Sequence, residues 1–429
     1  MTPAHQHGGT ARRAQRVRRA RGHEPAGLVP VDEHLADVAD MIRPLAPVRL
    51  ALAEAEGCVL AADVTAGYPL PSFDNSAMDG YAVRAADVAG ATERSPVTLP
   101  VTGQVTAGDT GAHELVPGAS VRIMTGAQLP AGADAVVPVE WTDDGDTKVA
   151  IRQAAQAGHA VRRAGDDARA GEVLLHAGTV LGPAQLGLVA AAGGGAAVVR
   201  PRPRVVVIST GNELAEPGSP LTPGKIWESN SFMLAAAARQ AGCLACRSPV
   251  APDEPRQLLE TIESQLPQAD LLVTSGGVSM GGPNDVVKDV LQGLGTVTFR
   301  KVAIQPGMPQ GFGVVGPDAT PIITLPGNPV SAYVSFQVFV RAALEAMLVT
   351  GELRLPVRRA VLSGRLKAPP GRRAYLRGVL DAAGETVAPL GHQGSHQLAT
   401  LGRANALVIV PEQVTALAEG DEVDVMSLP

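Results

Sequence analysis

The sequence predicts a multi-domain protein of the α/β plus β class. It should hold a parallel-rich α/β domain with helices on both faces, an inserted small β domain and a C-terminal β domain. Three observations predict this. The chain has 429 residues, too many for one core, so roughly two to four domains are expected. From residue 201 onward, apolar runs of strand length alternate with amphipathic stretches of helix length, the pattern of β–α–β units. On either side of that region, short β-rich runs are broken by Gly, Pro and Asp, and 48 glycines and 35 prolines supply the many turns such domains need.

Taken in order, residues 1–27, with "ARRAQRVRRARGHEP", are basic, polar and without an apolar face. They read as a disordered tail, with contact to an anionic partner as the alternative. A helix near 31–43 follows, because Leu35, Val38, Ile42 and Leu45 recur at helical spacing. Residues 28–68 and 160–200 are expected to form one linear helical domain. In its second segment, "ARAGEVLLHAGTVLGPAQLGLVAAAG" reads as a strand and turn, then a helix packing back onto the first. Residues 69–159 form the inserted β domain, with "SPVTLPVTGQV", "GASVRIMTGA" and "GADAVVPVEW" as its strands.

Residues 201–352 are the α/β domain. "RPRVVVIST" is a buried strand, a helix lies near 229–241 and a strand near 244–250. "EPRQLLETIESQL" is a helix, "ADLLVTS" a strand, "NDVVKDVLQGL" a helix and "IITL" a strand, before the long helix "PVSAYVSFQVFVRAALEAML". Residues 353–429 return to strands in "RRAVLSGRL", "AYLRGVL", "ALVIVP" and "DEVDVM".

Composition excludes several function classes. A net charge of −6 and 3% aromatics leave neither the basic surface nor the stacking platforms of a general nucleic-acid binder. The N-terminus lacks an apolar signal core, and no unbroken apolar run reaches about 20 residues, so no membrane span and a cytoplasmic protein are expected. Three cysteines, Cys58, Cys243 and Cys246, suit a reducing compartment. "CLAC" has the spacing of a redox pair or half a zinc site, but there is no second pair, and incidental packing cysteines are the plainer reading.

The chemistry gathers in three loops at predicted carboxyl ends of strands: "STGNEL" (209–214), "SGGVSMGGPND" (275–285) and "LPGNPVS" (325–331). Ligands of open parallel sheets bind at that edge. Ser209, Gly211, Ser275, Gly276, Gly277, Ser279, Pro326, Gly327, Asn328, Pro329 and Ser331 are the candidate cradle for an oxyanion. Asn328 is a good N-cap and Pro329 suits the first helical position, so a helix N-terminus should face the anion. Neither GxGxxG nor GxxxxGK[ST] occurs. Glu213, Asp253 and Asp285 make a hard oxygen set suited to Mg²⁺ on phosphates; a turn cap at Glu213 and a helix start at Asp253 are the plainer readings. Lys301 is either a cation for the oxyanion or an ordinary edge-strand lysine. Elsewhere, "PLPSFDNSAMDGYAVR" crowds Asp74, Asn75, Ser76 and Asp79 together, and Arg122 and Thr125 flank a glycine turn. Arg377, Gln393, Ser395 and His396 stand out near the C-terminus, with His396 the one expected to be structural.

Together, "PLPSFDNSAMDGYAVR", "VRIMTGAQLPAGADAVVPVE", "STGNEL", "SGGVSMG", "PGMPQGFG", "LPGNPVSAYVSF" and "GHQGSH" resemble the molybdopterin molybdenumtransferase family, which includes the E domain of gephyrin. The resemblance runs in order from about residue 30 to the end. The related molybdopterin adenylyltransferases share the "SGG" and "PGNP" loops but not "DNSAMDGYA" or "RIMTGA".

The resemblance implies an elongated, four-domain homodimer that inserts molybdate into adenylylated molybdopterin with Mg²⁺-assisted release of AMP. Molybdopterin adenylyltransferase and molybdoenzymes would be transient partners, with no nucleic acid or membrane involved. Family active sites lie between the α/β domain of one subunit and the β domain of the other. Carried over by motif, Asp79 and Thr125 reach across the dimer, Glu213, Asp253, Asp285, Lys301 and Ser331 come from the α/β side, and Arg377 and Ser395 from the C-terminal domain. Three departures stand out. Gln305 and Met308 replace lysines common in "IQPGMP", Asn212 replaces a frequent aspartate, and the 275–285 loop is one residue longer, so that either Asp285 or Asn284 fills its acid position. A scaffold that keeps the fold without the activity, an adenylyltransferase, and a paralogue handling tungstate are the alternatives.

Overall fold

Helix α1, Val31–Met41, buries Val31, His34 and Val38 along one stripe and carries Asp32 and Glu33 in its first turn, where acidic charge complements the helix dipole. It stops two residues short of the expected 43 because Arg43 precedes Pro44, and a residue before proline is pushed out of the helical region. The structure, a computed structural model, describes residues 27–278 and 286–429. These divide into a unit of residues 47–199 and a unit made of the flanking segments, up to 46 and from 200 to 429.

Residues 47–199 contain the strands β1 (Gly80–Val83), β2 (Val97–Val105), β3 (Ser120–Ile123), β4 (Ala135–Pro138) and β5 (Lys148–Ile151), in the sheet order β4-β1-β3-β2-β5. All four residues of β1 are buried. Tyr81 and Val83 enter one hydrophobic cluster and Ala82 the other, as alternation across a doubly covered sheet requires. A smaller sheet joins Val48–Ala51, Ala196–Arg200 and Val59–Leu60, with helix α2, Pro183–Ala191, contributing Leu186 to the same cluster.

The second unit contains the α/β domain: β6 (Arg204–Ser209), α3 (Asn230–Gln240), β7 (Leu244–Arg247), α4 (Pro255–Gln265), β8 (Leu271–Ser275), α5 (Val286–Gly293), β9 (Val297–Lys301), β10 (Pro309–Val315) and β11 (Thr320–Leu325). The sheet order is β7-β6-β8-β11-β10-β9; the first four strands are parallel, and β10 is antiparallel to both its neighbours. Val205 and Val207 pack with α1 and α3, while Val206 and Ile208 pack with α4 and α5. The unbroken "VVVI" run therefore reflects burial on both faces, at about 1.5–3 kcal/mol per side chain.

Helix α6, Pro329–Ser335, continues through a π-helical stretch, Phe336–Val340, into α7, Arg341–Leu348. The C-terminal strands are β12 (Val357–Leu362), β13 (Arg373–Leu380), β14 (Thr386–Pro389), β15 (Ala406–Val410) and β16 (Glu422–Ser427). They run β13-β14-β12-β16-β15, and β15 pairs back onto β13, closing a barrel and removing its free edges. Ile304–Gln305 adds to the start of β13, Ile304 opposite Arg373, so the "IQPGMP" segment lies against the barrel.

Candidate oxyanion-binding site

Strands β6, β8 and β11 end level: Ser209 is the register partner of Ser275, and Ser275 of Leu325. All three glycine-bearing loops therefore leave from one sheet edge. Because β9 is antiparallel to β10, and β10 to β11, β9 runs with the parallel strands. That direction places Lys301, the exposed last residue of β9, at the same edge.

The loop backbones approach closely there. Gly276 has φ +101°, and a Cβ on it would lie 2.6 Å from the Thr210 carbonyl oxygen, so only glycine fits. Gly327 stands opposite, its own Cβ position 3.5 Å from the Gly276 Cα. Asn328 occupies the N-cap position of α6 and Pro329 its first turn, but the Asn328 side chain does not cap the helix. Its Nδ2 donates to Ser395 Oγ at 3.0 Å, and the Val330 N–H donates to the Ser395 carbonyl oxygen at 3.1 Å. One donor of the expected anion-binding helix end is thus engaged by the barrel loop. Ser331 is buried in the same turn.

Asn212, the neighbour of Glu213 in sequence, ties its loop to Asp253. The Asn212 N–H donates to Asp253 Oδ2 at 2.9 Å, and the Asp253 N–H donates to Asn212 Oδ1 at 3.2 Å. Lys225 donates to the Asn212 carbonyl. The Glu213 carboxylate folds over Gly211, where a Cβ would meet both its oxygens at 2.7 Å. Glycine at 211 therefore leaves room for the exposed Glu213 carboxylate. Two hard oxygen groups in adjoining loops fit Mg²⁺, which takes one or two protein carboxylates together with phosphate oxygens. Among the described residues no cluster of three His, Cys, Asp or Glu side chains could hold a metal. Asp285, Asn284 and Ser279 lie outside the described residues.

Ser209 and Ser275 are each 2% exposed, and their hydroxyls bond within the protein. Ser209 Oγ donates to Glu228, a carboxylate also 2% exposed that the sequence reading passed over. Its segment, "KIWESNS", has no apolar periodicity, and its burial comes only from tertiary packing.

The barrel supplies a buried cation. Arg377 is 1% exposed, its Nη2 donates to the His392 carbonyl at 2.7 Å, and its Nε has no hydrogen-bond partner among the described residues. No ion pair to Arg377 occurs among the described residues. Burial lowers its pKa. An unpaired buried guanidinium is costly, and an anion would relieve that cost. Gln393 accepts the Arg377 backbone N–H at 2.8 Å, fixing the loop that bears Ser395. His396 is exposed rather than packed. Arg372 Nη1 donates to Gln305 Oε1 at 3.3 Å, placing a guanidinium against the "IQPGMP" segment.

In the unit of residues 47–199, Asp79 Oδ1 accepts the backbone N–H and the hydroxyl of Thr125, each at 2.7 Å. Those two bonds hold the exposed Asp79 carboxyl below the usual carboxylate range, with Arg122 assisting. Arg122 is itself held by Asp144 at 2.7 Å and Asp146 at 3.2 Å. Asp79, Tyr81, Arg122, Met124, Val139 and Asp144 line a cleft of about 190 Å³. Asp74 pairs with Arg163 at 2.6 Å and accepts the Ala164 N–H, while Asn75 and Ser76 are buried. Arg163, too, was not singled out by sequence.

Residues 29–193 match the family described as "MoeA N-terminal region (domain I and II)", residues 206–346 a "Probable molybdopterin binding domain" and residues 359–428 the "MoeA C-terminal region (domain IV)". A Mycobacterium tuberculosis protein named molybdopterin molybdenumtransferase 2 is 49% identical over 404 residues, covering 93% of this chain and 99% of its own. The Bacillus subtilis molybdopterin molybdenumtransferase is 34% identical, covering 93% of this chain and 94% of its own. The crystal structure of a molybdopterin biosynthesis MoeA protein from a Pyrococcus species superposes with a TM-score of 0.78 at 33% identity, covering 94% of this chain and 99% of that one. Among the described residues no helix is long and apolar enough to cross a membrane.

Proposed function

This chain belongs to the MoeA family of molybdopterin molybdenumtransferases, and on that premise we propose how its residues divide the work of loading molybdenum onto molybdopterin. It is a transferase of molybdenum-cofactor biosynthesis. The substrates in this reading are adenylylated molybdopterin and molybdate, and AMP is released.

The observation that carries the reading is the level ending of β6, β8 and β11, from which three glycine-bearing loops leave one sheet edge, the edge at which β9 ends in Lys301. The phosphates of the substrate lie on the backbone of Gly276, Gly277 and Gly327 and on Ser331. Glu213 and Asp253 would hold Mg²⁺, which would supply charge neutralisation to the phosphate. Arg377, Ser395 and Lys301 receive molybdate, a dianion that suits a buried guanidinium lacking an acid partner among the described residues. Arg372, against Gln305, adds cationic charge where the "IQPGMP" segment has no lysine.

Asp79, kept ionised by Thr125 through Oδ1, orients a water with Oδ2, which no hydrogen bond engages among the described residues, for attack on the phosphoanhydride. The chain works as a homodimer in this reading, the Asp79–Thr125 pair of one copy serving the other. The reading places the enzyme in the cytoplasm, where a count of three cysteines suits a reducing compartment. Purified protein given adenylylated molybdopterin, molybdate and Mg²⁺ should release AMP and yield cofactor that activates an apo-molybdoenzyme. Ligand binding without AMP release refutes it.

A further inference from the structure

A three-residue segment touches all three loops of the carboxyl edge. Glu228 Oε1 accepts the Ser209 hydroxyl and the Ser231 N–H, both at 2.8 Å, and Oε2 accepts the Ser231 hydroxyl at 2.6 Å. Arg247 Nη2 stands 3.5 Å from Glu228 Oε2, and its Nε donates to Ser231 Oγ at 2.6 Å. Two residues on, Asn230 Nδ2 donates to Ser275 Oγ at 2.8 Å and to the Gly327 carbonyl at 2.7 Å. Ser275 Oγ in turn donates to the Pro326 carbonyl at 3.2 Å. Glu228 therefore grips the end of β6, while Asn230 ties the end of β8 to the loop after β11.

We infer that Glu228 and Asn230 are positioning residues, a clasp that fixes the three loops in the arrangement the phosphate-bearing substrate requires. Glycine-rich loops carry the largest backbone entropy and do not hold a shape unaided. A buried carboxylate is costly unless several donors satisfy it, and Glu228 has them in Ser209, Ser231 and Arg247. Among the described residues Asn230 is fixed from its donor end alone, since its buried Oδ1 has no partner among them. Ser209 and Ser275 then act through this clasp, as anchors of the loops, and the ligand meets the backbone they hold.

The inference rests on the proposed function for the identity of the ligand, and on hydrogen-bond geometry for the clasp. The test uses the full-length protein, wild type, Asn230→Ala and the isosteric Asn230→Asp, which replaces the donor with an acceptor. Two readouts are taken: AMP release against adenylylated molybdopterin concentration, and hydrogen exchange of the amides at 276–277 and 327–328. Both variants should raise KM about tenfold, the equivalent of one or two net hydrogen bonds, with kcat within about threefold of wild type. Exchange at those loop amides should accelerate about tenfold while the β8 and β11 amides keep their protection. Unchanged KM and unchanged loop exchange overturn the clasp, as does a loss of protection spread evenly over the sheet. A wild type that releases no AMP overturns the proposed function, and the exchange data still decide the clasp. Should both Asn230 variants fail to fold, Glu228→Gln carries the same measurement at residues 209–212, where unchanged exchange and KM overturn it.

Discussion

One oxygen of Asp79, Oδ1, accepts both the backbone N–H and the hydroxyl of Thr125, each at 2.7 Å. Hydrogen bonds to the ionised form favour it, so the carboxyl stays charged at neutral pH. Asp79→Asn keeps the shape but cannot take a proton, and should lower AMP release by about 10²–10⁴-fold without changing the unfolding midpoint. Thr125→Val removes one of the two donors, so the Asp79 pKa rises and the acid limb of the rate profile moves to higher pH. A wild-type rate in Asp79→Asn, or an acid limb that stays in place in Thr125→Val, contradicts the assignment.

If Asp79 of one copy serves the Glu213 loop of another, two inactive variants should complement. Random mixing of Asp79→Ala and Glu213→Ala subunits gives half heterodimers, each with one intact site of two, so about a quarter of wild-type activity should return. The measurement is AMP release after subunit exchange. No recovery in verified heterodimers means that both residues serve one site within a single copy.

Glu213 and Asp253 are proposed to share Mg²⁺, with Asn212 holding Asp253 through two hydrogen bonds. Glu213→Gln should raise the half-saturating Mg²⁺ concentration by about 10–100-fold, and excess Mg²⁺ should restore most of the rate. Asn212→Ala, which loses the bond to the Asp253 N–H, should shift the titration in the same direction by about tenfold. A Mg²⁺ titration identical to wild type in Glu213→Gln removes the carboxylate from the metal site.

What was legible in the sequence follows from how local its cause is. "RPRVVVIST" and "ADLLVTS" read as buried strands because burial on both faces leaves an unbroken apolar run, and the Asn-Pro at 328–329 marks a helix start through its own backbone geometry. The side-chain work of these loops was not legible. Asn328 takes the cap position yet bonds Ser395, a partner 67 residues away. Glu228 sits in a polar stretch that reads as surface, and only the packing of α3 against the sheet buries it. Barrel closure between β13 and β15 is likewise a long-range pairing with no local signature. His34 falls on the α1 stripe by spacing, but its polarity hid it from the apolar pattern.

His34 leads to the last prediction. It is fully buried, meets the Phe312 and Phe339 rings edge-on at 5.2 and 4.7 Å, and neither ring nitrogen has a hydrogen-bond partner among the described residues. Burial, with Arg300 adding repulsion, pushes its pKa down to about 3, against about 6.5 in the unfolded chain. The unfolded state therefore binds a proton first as pH falls, and stability is lost from about pH 6.5 downward at about 1.4 kcal/mol per unit until the folded pKa is reached. Between pH 7 and pH 5 the loss from this residue amounts to about 2 kcal/mol. Of its charged neighbours, Arg300 pairs with Asp37, while Asp32, paired with Arg373, has its carboxyl held below the usual range and so acts at still lower pH. In His34→Leu, which keeps an apolar side chain between the two rings, the fall in urea-unfolding stability between pH 7 and pH 5 should shrink by that amount. An undiminished fall would mean that His34 gains a proton in the folded protein, and that its pocket admits water or a partner at mild acid pH.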